Sequence, residues 1–157
     1  MTTTITGATG IDNIQAATGA VLQVVNATYS TAVTTNNNTF ISSGITASIT
    51  PSSTSSKIWV HFSTPVYKSP NNAHGITTIF RGTVSGTNLG HANWGFGASY
   101  DSSTSDATAT NTGSILDSPN TTSSQTYTIG LRSNTSVTVQ AQANSGTGTI
   151  TLMEIAG

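Results

Sequence analysis

Hydrophobic and polar residues alternate along most of the chain with a period of two, which is the pattern of a half-buried β-strand. Segment 45–50 alternates Ile, Ala and Ile with Thr, Ser and Thr, and segments 57–64 and 125–133 repeat this spacing with larger apolar residues. No stretch shows the three-to-four-residue spacing of a convincing helix. The pattern therefore predicts about eight to nine strands. They lie at 21–29, 39–41, 45–50, 57–64, 75–84, 115–116, 125–133, 137–143 and 149–155.

Turn-forming residues separate these segments. Pro51 is expected to end the strand before it, and Pro65 is expected to break the ladder after Thr64, because proline cannot donate to a sheet. Segment 85–88, Ser-Gly-Thr-Asn, is typical of a hairpin turn. The polar segment 101–113 predicts the longest loop. Many short strands joined by such turns favour an all-β fold, an antiparallel jelly-roll-type β-sandwich with an extended N-terminal arm.

The composition changes near residue 20. Residues 1–20 are small, weakly hydrophobic and interrupted by glycine, so they carry too little apolar surface to fold alone. We interpret 1–20 as an attachment arm whose apolar contacts come from Ile5, Ile11 and Ile14, and 21–157 as the sandwich domain. The alternative is a frayed terminus.

Charge and cysteine content narrow the function classes. The 157 residues include only four Lys or Arg and five Asp or Glu, with a net charge of −1, and no cysteine. We expect no nucleic-acid partner, because binding phosphates requires clustered basic residues. We expect no membrane partner, because no apolar run approaches the 18 to 20 or so residues of a spanning helix. Without disulfides, oligomerisation is the obvious further source of stability.

The search for catalytic chemistry gives little. His61, His74 and His91 stand far apart, without the spacing of metal ligands. Serines are abundant, but none lies in a nucleophile motif. Asp101 and Asp106 are expected in a loop rather than as the fixed pair that glycoside cleavage requires. We therefore predict no enzyme activity, no metal and no cofactor.

Aromatic residues leave one binding function open. Segment 91–100, HANWGFGASY, alternates glycines with large rings, and sugars bind by stacking on exposed rings beside amides. The alternative is that these rings anchor the core or a subunit interface, as large aromatics usually do. The candidate glycan or interface surface comprises Trp59, His91, Asn93, Trp94 and Tyr100.

Four segments carry a resemblance to a known group of proteins. They are VLQVVNATYST (21–31), GITASITPSSTSSKIWV (44–60), SILDSPNTTSSQTYTIGLRS (114–133) and TITLMEIAG (149–157). In this order they resemble virion proteins of tailed bacteriophages, especially those of aquatic phages. Residues 66–113 match only loosely. The resemblance implies a jelly-roll domain, usually a homotrimer, made in the bacterial cytoplasm and displayed on the virion surface.

Within that group, two positions on the particle are open. A capsid decoration, or cement, protein would use the arm to bind the major capsid protein. A tail-fibre or head-fibre tip would instead join tail or fibre proteins and bind a host surface glycan. A non-viral adhesin or a glycan-degrading enzyme is a lesser alternative. The absence of coiled-coil heptads and of a long shaft counts against a long fibre.

Overall fold

The computed structural model describes residues 16–69, 74–100 and 105–157, and within them the chain is all-β, as predicted. Eleven strands and one short 3-10 turn, Ala143–Ser145, make up its regular structure. The strands are β1 Val21–Tyr29, β2 Val33–Thr35, β3 Ile41–Ile49, β4 Lys57–Lys68, β5 His74–Arg81, β6 Thr87–Asn88, β7 Gly97–Tyr100, β8 Ala107–Asp117, β9 Gln125–Ser133, β10 Val139–Ala141 and β11 Gly148–Ile155.

The strands form two antiparallel sheets. In the first sheet, β1 pairs with β11, β11 with β4, and β4 with β8 along its other edge. In the second, β3 pairs with β9, β9 with β5, and β5 with β7. The short strands β2, β6 and β10 extend these sheets. The orders β1-β11-β4-β8 and β3-β9-β5-β7 are those of a jelly roll, so the predicted fold class is confirmed.

The core lies between the two sheets and is built from alternating inward side chains. β4 contributes Ile58, Val60 and Phe62, which are fully buried as the pattern predicted. β9 contributes buried apolar side chains from the facing sheet. The side chains of β4 and β9 form one cluster with those of β3, β5 and β11. Burial of this apolar surface is the main term that stabilises the sandwich.

Pro65 does not break its strand, so the prediction that β4 ends at Thr64 is wrong. The strand runs on to Lys68 and stays paired with β8 throughout. On its other edge the partner is interrupted, because β11 pairs only up to Ser63 and β10 begins at Val66. Proline thus occupies a place where the ladder on one side is already open.

The expected long loop at 101–113 is also wrong over most of its length. Residues 107–117 form β8, which pairs with the whole of β4 beyond Lys57. Residues 101–104 lie outside the described part. Of the predicted strand at 39–41, only Ile41 is in a strand, at the start of the longer β3. The pattern gave no sign of β2, and the strand expected at 137–143 is limited to β10.

Side-chain hydrogen bonds tie the two sheets together at their edges. The Asn111 amide on β8 donates to the carbonyl oxygens of Gly75 at 2.9 Å and Gly97 at 3.3 Å, in the opposite sheet. At the other edge, the Tyr29 hydroxyl on β1 donates to the Thr46 carbonyl on β3. These bonds satisfy backbone groups that an open sandwich edge would leave unpaired.

The sandwich has two distinct ends. At one, here named the arm end, the Gly19 N–H donates to the Ala156 carbonyl and the Ala156 N–H donates to the Ala20 carbonyl, each at 2.8 Å. Residues 16–20 lead into the start of β1 at this end. At the opposite end, here named the far end, β5 begins at His74 paired with Tyr100, where β7 ends. The proposed arm residues Ile5, Ile11 and Ile14 lie outside the described residues.

Candidate interaction surfaces

The structure divides the predicted surface residues between the two sheets. Trp59 lies on β4, on the outer face of the first sheet. Trp94 and Tyr100 lie with His91 and Asn93 on or beside the second sheet, toward the far end. The five residues therefore belong to two separate surfaces.

Three rings form a compact group at the far end, here named the ring cluster: His74, Trp94 and Tyr100. The His74 and Tyr100 rings stack with centroids 4.2 Å apart and an interplanar angle of 13°. The Trp94 ring meets His74 edge-on at 5.0 Å and 74°. Trp94 is 48% exposed and Tyr100 is 54% exposed, so a large part of both rings faces solvent. Large exposed rings beside a polar ring are a surface suited to stacking interactions.

Asn134 holds the central ring of this cluster in place. Its amide nitrogen donates to His74 Nδ1 at 2.8 Å, and its side-chain oxygen accepts the His74 backbone N–H at 2.7 Å. Sequence reasoning missed both residues as members of this surface. No local signal could have found them, because they lie 60 positions apart and meet only through the pairing of β5 with β9.

A tight loop places Trp94. Nδ1 of His91 accepts the backbone N–H groups of Asn93 and Trp94, each at 3.1 Å, and His91 also bridges to Gly95. Gly95 has a φ of +57°, and a β-carbon there would lie 2.1 Å from a carbonyl oxygen of β5. The Arg132 guanidinium donates to the Asn93 carbonyl. The His91 ring and the Asn93 backbone thus fix the loop that holds Trp94.

A row of apolar side chains crosses the first sheet near the arm end, here named the apolar row: Val24, Met153, Trp59 and Leu116. These residues are directly paired across β1, β11, β4 and β8. Val24 is 55% exposed and Leu116 is 50% exposed. Trp59 stacks on His61 with centroids 5.3 Å apart and an angle of 6°. A contiguous apolar strip of this kind on a sheet face marks a contact surface.

Glu154, at the arm end, is buried, and both of its carboxylate oxygens accept hydrogen bonds. One carboxylate oxygen accepts the Ser52 backbone N–H at 2.7 Å and the Ser52 hydroxyl at 2.6 Å, and the other accepts the Gln23 amide at 2.6 Å. Burial on its own raises the pKa of Glu154, but these hydrogen bonds outweigh it and lower the pKa to about 2. The charged carboxylate therefore ties the β3–β4 connection to β1 and β11.

The other described carboxylates are held by separate partners. Asp117 accepts the Tyr127 hydroxyl at 2.8 Å and the Arg81 guanidinium at 3.2 Å. Burial and then this hydrogen bond raise the pKa of Tyr127. Asp106 accepts the hydroxyl of Tyr67 at 2.9 Å, which raises the pKa of that tyrosine. The hydrogen bonds and the ion pair of these two carboxylates therefore have a structural role. Asp101 lies outside the described residues.

Within residues 16–69, 74–100 and 105–157, no group of three or more His, Asp or Glu side chains is placed to hold a metal ion. The same part of the chain encloses no pocket. It also contains no helix with the length and apolar character needed to cross a membrane. The functional candidates in the described structure are thus surfaces rather than clefts.

Comparisons with known proteins add little to this picture. No family model matches the sequence, and no curated protein does. A structure of infectious bursal disease virus strain Gx matches with a TM-score of 0.45 and 14% identity, over 85% of this chain and 29% of that chain. The VP2 subviral particle of the same virus matches with a TM-score of 0.41 and 11% identity, over 86% and 37%. The chain thus spans less than two fifths of either, and the resemblance to phage proteins stays a prediction.

Proposed function

We propose that this chain is a structural protein of a bacteriophage particle, exposed on the virion surface as a homotrimeric capsid decoration protein. Its partners are other copies of itself and the major capsid protein, which it binds through residues 1–20. The four phage-like segments support the virion assignment. The jelly-roll fold is compatible with it, because this fold serves as a building block of viral capsids.

One observation carries the proposal: the apolar row lies near the end of the sandwich where residues 16–20 lead into β1. The pairings of Val24 and Leu116 both fall within two residue pairs of that end of the first sheet. An apolar contact surface beside an arm whose one charged side chain is Asp12 suits a module that assembles with its neighbours at this end and is exposed at the other. The low charge fits assembly, since few ions must be desolvated when subunits meet.

We further propose that the protein is not an enzyme. In the described residues, the carboxylates each serve a different structural bond, and the histidines are engaged with aromatic or backbone partners. Glycoside hydrolysis usually requires two carboxyl groups converging on one bond of the substrate. A surface that binds without converting its ligand needs no such convergence.

Purified particles provide the test. Antibody labelling should place the protein over the capsid, with a copy number in the hundreds per particle. A chain without residues 1–15 should keep its β-sheet circular dichroism spectrum and lose binding to undecorated capsids. Full-length protein with Ile5, Ile11 and Ile14 changed to serine should bind more weakly, because only the apolar contacts of the arm are removed. Labelling confined to the tail, or unchanged capsid binding after the deletion, contradicts the proposal.

The ring cluster favours a second candidate, a tail-fibre or head-fibre tip that binds host surface polysaccharide. It lies at the far end, away from the arm, with Trp94 and Tyr100 about half exposed. Stacking of a sugar on such rings predicts that Trp94→Ala weakens binding on a glycan array by roughly tenfold or more. Leu22→Ala is the control, since it removes an exposed apolar side chain that belongs neither to the ring cluster nor to the apolar row. An array without any signal counts strongly against this candidate.

A further inference from the structure

The outer face of the first sheet is almost free of charge. Lys57 is the only Lys, Arg, Asp or Glu among the described β1, β11, β4 and β8 residues that point outward. Beside the apolar row lie two rows of small polar residues or histidine. They are Asn26, Thr151, His61 and Ser114, followed by Thr28, Thr149, Ser63 and Thr112.

From this face we infer a self-association surface, on which the first sheet of one copy packs against a second copy of the same chain. Because two identical faces meet about a two-fold axis, the inference adds an interface beyond those within the proposed homotrimer, and it rests on the proposed self-association but not on the location on a particle. The apolar row supplies the contact that excludes water. The hydroxyl and amide rows can hydrogen-bond to the same groups of another copy.

The low charge of this face favours a second copy of the chain, rather than an unrelated charged protein, as the molecule that covers it. A face whose charged groups are Lys57 and, at its border, Asp106 bound to the Tyr67 hydroxyl offers no pattern for electrostatic recognition of an acidic or basic surface. The same lack of charge lets two identical faces approach without like-charge repulsion. A sheet made of Thr, Ser and Asn around an apolar row is therefore complementary to itself.

The size of the face also fits a whole subunit. Four strands spaced about 4.8 Å apart span about 19 Å, and their lengths run from about 27 Å for the eight residues of β11 to about 36 Å for the eleven of β8, so the face covers about 600 Å². This is close to the roughly 800 Å² that each partner contributes to a standard protein interface. A single extended segment, such as residues 1–15, would cover a strip about one strand wide. A second sheet covers the face more completely.

Sedimentation velocity on the full chain tests the inference. We expect the wild type to sediment as an oligomer of the 16.0 kDa chain. The double variant Val24→Glu/Leu116→Glu should associate roughly 100-fold more weakly, because it places unpaired carboxylates in a desolvated contact. The matched control, Trp94→Glu/Tyr100→Glu, adds the same charges at equally exposed positions on the other sheet and should associate like the wild type. Circular dichroism checks that each variant is folded.

A second measurement tests the interface even if the charged double variant does not fold. The chain has no cysteine, so a nitroxide attached through Thr151→Cys reports on this face alone. Its mobility should fall as the protein concentration rises, whereas a label attached through Ser48→Cys, exposed on the second sheet, should stay mobile.

Several outcomes would overturn the inference. They are a wild type that stays monomeric at submillimolar concentration, association unchanged by the charges on the apolar row, or an equally mobile Thr151→Cys label in monomer and oligomer. Association lost on deleting residues 1–15 but kept in the double variant would assign the contact to the arm instead. If the protein forms this interface but antibody against it labels no virion, the proposed function is contradicted and the inferred interface is unaffected.

Discussion

Glu154 makes the stability of this protein depend on pH in a defined window. Its pKa is about 2 in the folded chain, compared with an ordinary value of 4.5. The folded state therefore binds fewer protons than the unfolded state between those values, and stability rises with pH across that interval. The contribution is fully present above about pH 4.5 and is lost as the pH falls toward about 2.

The structure sets the size of this effect. Glu154 is only 1% exposed, so solvent screens its hydrogen bonds little. Because one pKa unit corresponds to about 1.4 kcal/mol, the lowered pKa contributes roughly 3 kcal/mol at neutral pH. We expect Glu154→Gln to lower the free energy of unfolding by about 2 to 3 kcal/mol at pH 7, since an amide cannot accept all the bonds of the carboxylate.

Urea unfolding followed by circular dichroism measures the free energy of unfolding of both proteins. All samples are kept at one protein concentration, because association adds to the apparent stability. The difference between wild type and Glu154→Gln should shrink from pH 7 to about pH 2. Asp106→Asn, which neutralises an exposed carboxylate, is the control and should change stability by less than about 1 kcal/mol at any pH. If wild type and Glu154→Gln lose stability in parallel below about pH 4.5, the assignment of this dependence to Glu154 is refuted.

Three other substitutions test the packing, each by urea unfolding. Tyr127→Phe removes the hydroxyl that donates to buried Asp117 and should cost about 1 to 3 kcal/mol. Phe62→Ala empties a fully buried site and should cost about 3 to 5 kcal/mol. Gly113→Ala places a methyl group 2.8 Å from the Phe62 ring and should cost about 1 to 3 kcal/mol, whereas Gly97→Ala, with its nearest atom at 3.4 Å, should cost less than about 1 kcal/mol. Equal losses for the two glycine variants would contradict the packing argument.

Where apolar residues recur at every second position, the sequence pattern predicts the strand well. β1 and β9 have the predicted bounds, and β11 begins only one residue earlier than expected, because Val25 and Ala27, Tyr127 and Ile129, and Ile150 and Leu152 keep that spacing and pack into the core. The all-β class follows from the same alternation. It depends on local spacing, which a sequence shows directly.

Only 115–116 of β8 was predicted, and the rest of the strand was missed because its inward positions from 107 to 113 are small or polar. Asn111 and Asp117 point inward there and are satisfied by hydrogen bonds to other strands rather than by apolar contacts. The continuation of β4 through Pro65 was missed because it depends on an interruption in the neighbouring strand. Both features are decided by partners distant in the sequence, so no local pattern could have revealed them.

The candidate surfaces were partly predictable. The rings of segment 91–100 pointed to a surface, but its central ring, His74, and the amide that orients it come from other strands. Trp59 was grouped with these rings by residue type alone. Its row with Val24 and Leu116 exists only through strand register, which composition does not encode.

The hydrogen bonds of Gly19 and Ala20 with Ala156 bring both ends of the described chain out of the sandwich side by side. A peptide fused after Gly157 would start beside the arm and compete for space with whatever the arm binds. The turn between β1 and β2 lies at the opposite end, about 30 Å away along a nine-residue strand. Cargo meant for display should therefore be inserted there rather than appended to the carboxyl terminus.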